Sequence, residues 1–303
     1  MSQWVRSFEA HRGDDATKRI GLLIHFWGGH SKAFAAELFF TRPLLIYPPR
    51  IRVPPFTMTD AVISLQRLYF GYERRPVFAG VDLDIPAGRF CALLGPNGAG
   101  KSTLFALLTR LVVADRGQVR VAGFDVRRQG RQAMARVGVV FQQPTLDLAL
   151  SVRENLGYYA ALRGLSGARA RQAVESALDR LDLRARAKTR VRALNGGHRR
   201  RLEIARALMD RPSVLLLDEA TAGLDVVGRR EITDFVHELC AETGLSALWA
   251  THLVDEIRRD DEVVVVRQGR FLAQGRVGDL IGAESLAAFY RRCIGDECME
   301  AVA

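Results

Sequence analysis

The run of residues 95–103 constrains the chain more than any other segment. It reads Gly-Pro-Asn-Gly-Ala-Gly-Lys-Ser-Thr and fits the pattern G-x-x-x-x-G-K-[ST]. A short apolar stretch, residues 89–94, precedes it as a predicted strand, and residues 101–112 follow it as a predicted helix. Glycines let backbone N–H groups turn inward around an anion, and the helix points the positive end of its dipole at the same place. The segment is therefore predicted to hold the phosphates of a nucleotide.

The ligand expected here is a nucleoside triphosphate with magnesium. Lys101 would bridge the β- and γ-phosphates, and the Ser102 hydroxyl would bind Mg²⁺. Residues 214–219, Val-Leu-Leu-Leu-Asp-Glu, supply the hydrophobic strand ending in acids that forms the second half of such a site. Asp218 is predicted to join the Mg²⁺ shell, and Glu219 to act as general base on the attacking water. The residues expected to cradle the phosphates are Gly95, Pro96, Asn97, Gly98, Ala99, Gly100, Lys101, Ser102 and Thr103.

The composition is that of a folded protein with a sizeable core. Of 303 residues, 48% are apolar and 26% are charged, which argues against disorder of the whole chain. No stretch reaches the roughly 18 uninterrupted apolar residues of a membrane span. Charged residues and histidines interrupt the longest candidate, residues 20–47, so we expect no membrane crossing. The cysteines show no C-x-x-C spacing and are expected to be small buried hydrophobes in a reducing compartment. They are Cys91, Cys240, Cys293 and Cys298.

The net charge of +10 is concentrated in one internal segment. Residues 151–211 hold 15 basic and 6 acidic residues. A solvated helical face and proximity to anionic lipid headgroups both account for such a run. Nucleic acid is less favoured, because no aromatic residues interleave with the basic ones as stacking platforms. We therefore expect no nucleic-acid partner.

From Met58 onward, strand-like segments alternate with amphipathic helices, which is typical of an α/β domain with a largely parallel sheet. Apolar residues recur at helical spacing between residues 170 and 181, and a helical insertion is predicted over about residues 147–210. No internal repeat is present, so the chain should contain one nucleotide-binding unit. Further strands are predicted over residues 61–70, 137–141, 213–218, 245–250 and 262–267.

Residues 1–57 differ from the rest in having clustered aromatics, a proline-rich exit and no clean hydrophobic period. One interpretation is that translation starts at Met58 and that the upstream segment does not belong to the protein. The other is an extension that touches a membrane partner through its aromatic residues. Both assign the catalytic domain to residues 58–303. The aromatic residues concerned are Phe26, Trp27, Phe39 and Phe40.

Residues 194–208 resemble the signature segment of the ABC ATPase family. They read Leu-Asn-Gly-Gly-His followed by Arg-Arg-Arg-Leu-Glu-Ile-Ala-Arg-Ala-Leu. The family spelling of the first part is L-S-G-G-Q, so this chain departs from it at Asn195 and His198. Gly196 and Gly197 at a helix N-terminus form a second anion site, which in the family contacts the γ-phosphate bound to the opposite subunit. The departures bear on the strength of ATP-driven dimer closure rather than on its existence.

Further positions match the family in order along the chain. Tyr72 lies where an aromatic ring stacks on adenine, and Gln142 matches the glutamine that touches Mg²⁺ or the attacking water. Asp225 matches the intersubunit loop after the catalytic acid, and His252 matches the switch histidine near the γ-phosphate. Ala220 stands where the family usually has proline, and it is expected to loosen that turn without removing the chemistry.

The resemblance covers about residues 62–275 and implies a P-loop NTPase fold. This is a RecA-like core with a mostly parallel sheet, an antiparallel β subdomain and an inserted helical subdomain. It also implies that ATP is bound and hydrolysed with Mg²⁺ by a homodimer, or by a dimer with a related ATPase, in which each signature completes the other subunit's site. The implied partner is a separate polytopic membrane permease. The implied location is peripheral, on the cytoplasmic face of the inner (plasma) membrane.

Within the family, residues 141–156 are similar to the ABC-2 type exporter ATPases that act on drugs, polysaccharides or lipids. The Asn195 and His198 spelling is also similar to ATPases associated with quinoprotein alcohol dehydrogenase systems. The alternative is a soluble ABC ATPase of iron–sulfur cluster assembly, which would act on a protein scaffold. The substrate is not predicted, because in this family the membrane subunit binds it.

Removal of residues 1–57 tests whether the extension is dispensable. We expect the chain that starts at Met58 to fold and to hydrolyse ATP as the full-length chain does, since every motif lies downstream of it. Thermal unfolding and ATPase assays on the two chains make the comparison. Loss of folding or of activity in the shorter chain would show that the extension is required.

Overall fold

The computed structural model describes residues 61–73 and 75–295, so the predicted extension over residues 1–57 lies outside the described residues. The strands are β1 (Ala61–Tyr72), β2 (Arg75–Pro86), β3 (Phe90–Leu94), β4 (Arg116–Val121), β5 (Phe124–Asp125), β6 (Val137–Val140), β7 (Val214–Asp218), β8 (Ser246–Thr251), β9 (Glu262–Arg267) and β10 (Arg270–Arg276). The helices are α1 (Lys101–Leu108), α2 (Gly130–Met134), α3 (Val152–Leu162), α4 (Gly167–Arg180), α5 (Gly196–Leu208), α6 (Val226–Thr243), α7 (Val277–Ile281) and α8 (Leu286–Ile294). Within these described ranges, no helix has the length and apolar content that crossing a membrane requires.

The main sheet has the strand order β10-β9-β3-β8-β7-β6. All neighbours in it are parallel except the β10–β9 pair at one edge. Every residue of β3, β7 and β8 is buried, because parallel sheets of this kind are covered on both faces and their strands read as continuous apolar runs. The carboxyl ends of β3, β6, β7 and β8 therefore meet at one edge of the sheet.

A second, antiparallel sheet has the order β2-β1-β4-β5. One core cluster joins it to α1 and to one face of the main sheet, through alternate residues such as Leu93, Leu216 and Leu248. The other cluster joins the opposite face to α3, α4, α5 and α6, through residues such as Leu94 and Leu217. The predicted fold class is thus confirmed: a mostly parallel α/β core, an antiparallel β subdomain and an inserted helical subdomain.

The helix predicted over residues 101–112 is shorter than expected and ends at Leu108. The Thr109 hydroxyl donates a hydrogen bond to the Phe105 carbonyl at 2.7 Å, which occupies an acceptor of the last turn. Arg110 then adopts a φ of 60°, in the left-handed region that ends helices. The prediction based on hydrophobic spacing made the helix too long, because Leu111 and Val112 are apolar although they lie beyond the turn that ends it.

The helical insertion contains α3, α4 and α5, and Val174, Ala177 and Leu178 on α4 are buried as their spacing predicts. Part of the positive charge of the insertion is paired. Arg153 and Arg184 both contact Glu175, and these side chains are exposed to solvent. Exposed pairs of this kind add little stability. These arginines of the basic run therefore belong to a solvent-exposed face of the helical insertion.

The prediction that the cysteines are buried is confirmed for Cys91, Cys240 and Cys293. Burial raises the pKa of the Cys240 thiol to about 12, which keeps it protonated and unreactive near neutrality. Cys298 lies outside the described residues.

A buried ion pair fastens α5 to the loop that follows β6. Arg200 donates to Glu203 at 2.7 Å, and both side chains are almost completely buried. The same guanidinium donates to the carbonyls of Phe141 and Gln142 at 2.8 and 3.3 Å. Glu203 in turn accepts a hydrogen bond from the Thr145 backbone N–H at 2.9 Å. The buried ion pair and its hydrogen bonds to the backbone therefore hold the loop and the helix together.

Replacement of Arg200 by alanine would leave the Glu203 carboxyl group buried without its partner. We expect Arg200→Ala to lower the free energy of unfolding by about 3 kcal/mol or more. Arg201→Ala is the matched control, because Arg201 lies next in the same helix and pairs with Glu231 at the surface, at 2.9 Å. Its loss should be below about 1 kcal/mol. Equal losses in urea unfolding would contradict the importance assigned to the buried pair.

Candidate nucleotide site

Four loops meet at the carboxyl edge of the main sheet. Leu94 pairs with Thr251, and Asp218 pairs with Ala250, so the ends of β3, β8 and β7 are in register. Val140 of β6 pairs with Leu217 beside them. The residues that follow these strands include Gly95, Gln142, Glu219 and His252, all of which were predicted to lie at the site.

The loop of residues 95–103 forms the expected cradle between β3 and α1. Gly98 and Gly100 have φ values of 80° and 110°, which side chains with a Cβ rarely adopt. The first N–H groups of α1 have no partner within the helix and face the loop. Lys101 is 5% exposed, and its Nζ donates to the carbonyls of Gly95 and Pro96 at 2.7 and 3.2 Å. The loop can thus present backbone donors and one buried cation to an anion.

Asp218 has a buried carboxyl oxygen, Oδ1, without a hydrogen-bond partner. Burial raises the pKa of Asp218, and the negative charge of Glu219 acts in the same direction, while Ser102 and Lys101 oppose the shift. An orphaned acceptor of this kind fits a hard cation. Within the described ranges, no group of three or more His, Cys, Asp or Glu residues could hold a metal ion by itself. A Mg²⁺ ion here would share its ligands with the nucleotide, as Mg²⁺ commonly does.

Glu219 lies at the centre of the charged groups. Its Oε1 is 3.5 Å from Lys101 Nζ and 3.5 Å from His252 Nδ1, and its Oε2 accepts a hydrogen bond from Gln142 Nε2 at 3.0 Å. Its backbone has a φ of 45°, and its N–H donates to the Ala250 carbonyl at 3.0 Å. A left-handed glutamate is uncommon, and such conformations persist where the surroundings hold them. The structure therefore brings together four residues that lie far apart in the sequence.

Burial lowers the pKa of Lys101 relative to its usual value, and Glu219 opposes that shift. The Glu219 carboxylate therefore stabilises the positive charge of Lys101 within the cradle. A triphosphate that entered the loop would provide Lys101 with stronger anionic partners.

Tyr72 lies at the end of β1, in the hairpin formed with β2. The residue is 48% exposed, and its ring contacts Phe70 edge-on, with the ring centroids 5.0 Å apart. Phe78 of the same hairpin lies beside Gly100 of the cradle. An exposed ring near the cradle is compatible with adenine stacking, which stays a prediction.

The signature residues form a second cluster. Asn195 caps α5, because its Oδ1 accepts a hydrogen bond from the His198 backbone N–H at 2.9 Å. Gly196 lies against Leu224, and Asp225 caps α6 by accepting from Gly228 N at 2.7 Å. Within residues 61–73 and 75–295, no hydrogen bond or ion pair joins Asn195, Gly196, Gly197 or Asp225 to Lys101, Asp218 or Glu219.

The backbone N–H of His198 fixes the orientation of the Asn195 amide. A backbone N–H can only donate, so the atom it contacts must be the amide oxygen. His198 Nδ1 lies 2.5 Å from the same oxygen and must therefore carry a hydrogen. The amide nitrogen of Asn195 is left pointing away from the cap. Partial burial lowers the pKa of His198, and Arg186 and Arg201 add to the effect.

Sequence reasoning missed two supporting residues. Arg200 holds the backbone of the Gln142 loop, and Glu256 accepts hydrogen bonds from Thr221 and Thr251 near the strand ends. Glu256 carries a weak signal, a carboxylate shortly after His252, but nothing in the sequence indicates that it is buried. Arg200 lies within a run of arginines and has no signal of its own.

The chain is similar in sequence to ATP-binding proteins of transporters. The model of the family described as "ABC transporter" matches residues 78–222. The chain is 38% identical over 228 residues to the Nod factor export ATP-binding protein I of Paraburkholderia xenovorans, covering 75% of each chain. It is 37% identical to the daunorubicin resistance ATP-binding protein DrrA3 of Streptomyces coeruleorubidus, covering 74% of this chain and 71% of that one.

Solved structures show the same fold. The structure of cbiO1 from Clostridium perfringens, part of the ABC transporter complex cbiONQ, matches with a TM-score of 0.67 and 29% identity, over 73% of this chain and 90% of that one. A structure described as an ATP binding subunit of an ABC transporter matches with a TM-score of 0.67 and 25% identity, over 77% of this chain and 99% of that one.

The predicted resemblance to exporter ATPases is confirmed by these relatives, and none of those named supports the iron–sulfur assembly alternative. The chain belongs to the ABC transporter ATP-binding family, whose members bind ATP and hydrolyse it to power transport.

Proposed function

We propose that this chain is the ATPase subunit of an ABC exporter, and that it works as a two-fold symmetric dimer with ATP at both interfaces. The observation that carries the proposal is the contact of the Glu219 carboxyl group with Lys101, His252 and Gln142 at the end of the cradle. A carboxylate there is within reach of a water molecule beside a γ-phosphate held by the cradle.

In this proposal, Glu219 acts as the general base that takes a proton from the attacking water. Lys101, which donates to two carbonyls of the loop, would bridge the β- and γ-phosphates. His252 contacts the γ-phosphate, and Gln142 orients the water. Tyr72 stacks on adenine. Backbone N–H groups over residues 95–103 hold the remaining phosphate oxygens.

Ser102, Gln142 and Asp218 are the residues proposed to hold Mg²⁺. The unpartnered Oδ1 of Asp218 supports this assignment, because a buried carboxylate oxygen without a donor is costly unless a cation balances it. When bound, Mg²⁺ would neutralise charge on the β- and γ-phosphate oxygens.

The dimer is supported by the position of the signature cluster. Asn195 caps α5, and in the part of the chain that the structure describes no hydrogen bond joins Asn195, Gly196 or Gly197 to Lys101 or Glu219. In this proposal, a second copy completes each site. In the dimer, the outward-facing amide nitrogen of Asn195 would donate to the γ-phosphate in place of the usual serine. Asp225 lies beside this cluster through Leu224 and is proposed to contact the other subunit.

A separate polytopic permease is the proposed membrane partner, which places the chain on the cytoplasmic face of the plasma membrane as a peripheral subunit. The loop after Gln142 is exposed and carries an exposed apolar side chain, Leu148. The names of the relatives, which refer to Nod factor export and to drug resistance, support outward transport.

Replacement of Glu219 by glutamine tests the general base. We expect Glu219→Gln to bind ATP, to lower kcat by about 100-fold or more, and to accumulate as an ATP-bound dimer. ATPase assays, nucleotide binding and size-exclusion chromatography with ATP provide the measurements. Glu242→Gln makes the same chemical change on the exposed part of α6 and should leave all three unchanged. Unchanged hydrolysis in Glu219→Gln would refute the assignment.

The variant signature is tested by comparing two helix caps. Asn195→Ala and Ser151→Ala each remove a side chain that accepts a backbone N–H, at α5 and α3 respectively. Each should cost about 1 kcal/mol of stability. Loss of the donor to the γ-phosphate should lower the ATPase activity of Asn195→Ala by a further factor of about ten. Equal activity in the two variants would refute the proposed contact.

A further inference from the structure

A buried carboxyl group connects the ends of β7 and β8. Glu256 lies in the turn after β8 and is 5% exposed. Its Oε1 accepts a hydrogen bond from the Thr221 hydroxyl. Its Oε2 accepts hydrogen bonds from the Thr251 hydroxyl at 2.6 Å and from the Trp249 indole nitrogen at 2.9 Å. All three donors are buried as well.

The directions of these hydrogen bonds follow from the donors. The indole N–H can only donate. The Leu253 backbone N–H donates to the Thr251 hydroxyl oxygen at 3.0 Å, which leaves the hydroxyl hydrogen of Thr251 for Glu256. Oε2 is therefore occupied by two donors from β8. Oε1 is left for Thr221, which belongs to the segment after β7.

Thr221 is part of the turn that carries Glu219. The Ala222 N–H donates to the Glu219 carbonyl at 3.0 Å, and the Leu224 N–H donates to the Thr221 carbonyl at 3.1 Å. Position 220 within this turn is alanine and not proline, so no pyrrolidine ring fixes the backbone φ angle there. The hydrogen bond from Thr221 to Glu256 restrains the turn instead.

Thr251 immediately precedes His252 at the end of β8. Glu256 thus holds the residue before His252 and a residue two positions after Glu219. Glu219 Oε1 and His252 Nδ1 lie 3.5 Å apart.

We infer that Glu256 is a positioning residue for ATP hydrolysis, which holds Glu219 and His252 in their relative positions through Thr221 and Thr251. The inference rests on the proposed function, which assigns Glu219 and His252 to the γ-phosphate. Glu256 acts through its neighbours, and its hydrogen bonds within the described residues go to Thr221, Trp249 and Thr251.

Two variants separate positioning from stability. Thr221→Val and Trp249→Phe each remove one donor to the same buried carboxyl group, so both should lower the Tm. Only Thr221 belongs to the turn that carries Glu219. We expect Thr221→Val to lower kcat by about tenfold or more with an unchanged KM for ATP, because a small displacement of a catalytic group is costly. Trp249→Phe should keep a kcat close to that of the wild type.

Conservative replacements of Glu256 and Thr221 should retain the kcat that more disruptive replacements lose. In Glu256→Gln, the amide oxygen can accept both donors from β8, and the amide nitrogen can donate to the Thr221 hydroxyl, which accepts as well as it donates. Glu256→Gln should therefore keep most of the kcat that Glu256→Ala loses. Thr221→Ser retains the hydroxyl and should keep kcat, which gives a second comparison with Thr221→Val if Glu256→Ala does not fold.

Glu219→Gln, measured alongside, separates a failure of the proposed function from a failure of the role of Glu256. Wild-type hydrolysis in Glu219→Gln would refute the proposed function. An inactive Glu219→Gln together with equal kcat values for Thr221→Val and Trp249→Phe would overturn the role of Glu256 alone. A loss of kcat in Thr221→Val that Thr221→Ser restores would support it.

Discussion

Parallel pairing of β3, β8, β7 and β6 is the constraint on which the nucleotide site depends. Each of these strands is followed by a segment that carries one part of the site, and the pairing brings the four segments to one edge. Because β3, β7 and β8 are buried on both faces, a shift of register by one residue would exchange the side chains of the two core clusters. The positions of Lys101, Gln142, Glu219 and His252 are thus consequences of core packing.

The charges at this edge are arranged so that several of them balance one another. Lys101 is surrounded by two carbonyls and the Glu219 carboxyl group, while Asp218 keeps one oxygen without a donor. Isolated buried charges are unfavourable, so these contacts stabilise the charge of Lys101. Phosphate oxygens of ATP would replace the carbonyl oxygens around Lys101 as stronger partners. A cation would contact the Asp218 oxygen that has no donor.

Much of the fold could be predicted from the sequence because its signals are local. Apolar strands, the glycine-rich loop and the acids after residue 217 each indicate a structure within a short window. The end of α1 could not be predicted, since Thr109 and Arg110 end it by a hydrogen bond and a left-handed backbone despite apolar residues beyond. Arg200 and Glu256 were missed for a different reason. The importance of both residues depends on their burial and on partners that are distant in the sequence. Neither hydrophobic periodicity nor motif spacing reveals these properties.

The signature segment has different residues from the family motif at two positions but still begins with a capped helix. Asn195 replaces serine as the cap, and His198 binds the same amide oxygen through Nδ1. That tautomer leaves the lone pair of the neutral imidazole on Nε2. Serine and glutamine do not titrate in the physiological range, whereas imidazole takes up a proton there or slightly below. Local desolvation and neighbouring arginines keep His198 neutral until the solution is more acidic than its usual pKa. The unusual spelling therefore introduces a proton-binding group into a segment that the family's ordinary spelling leaves insensitive to acid.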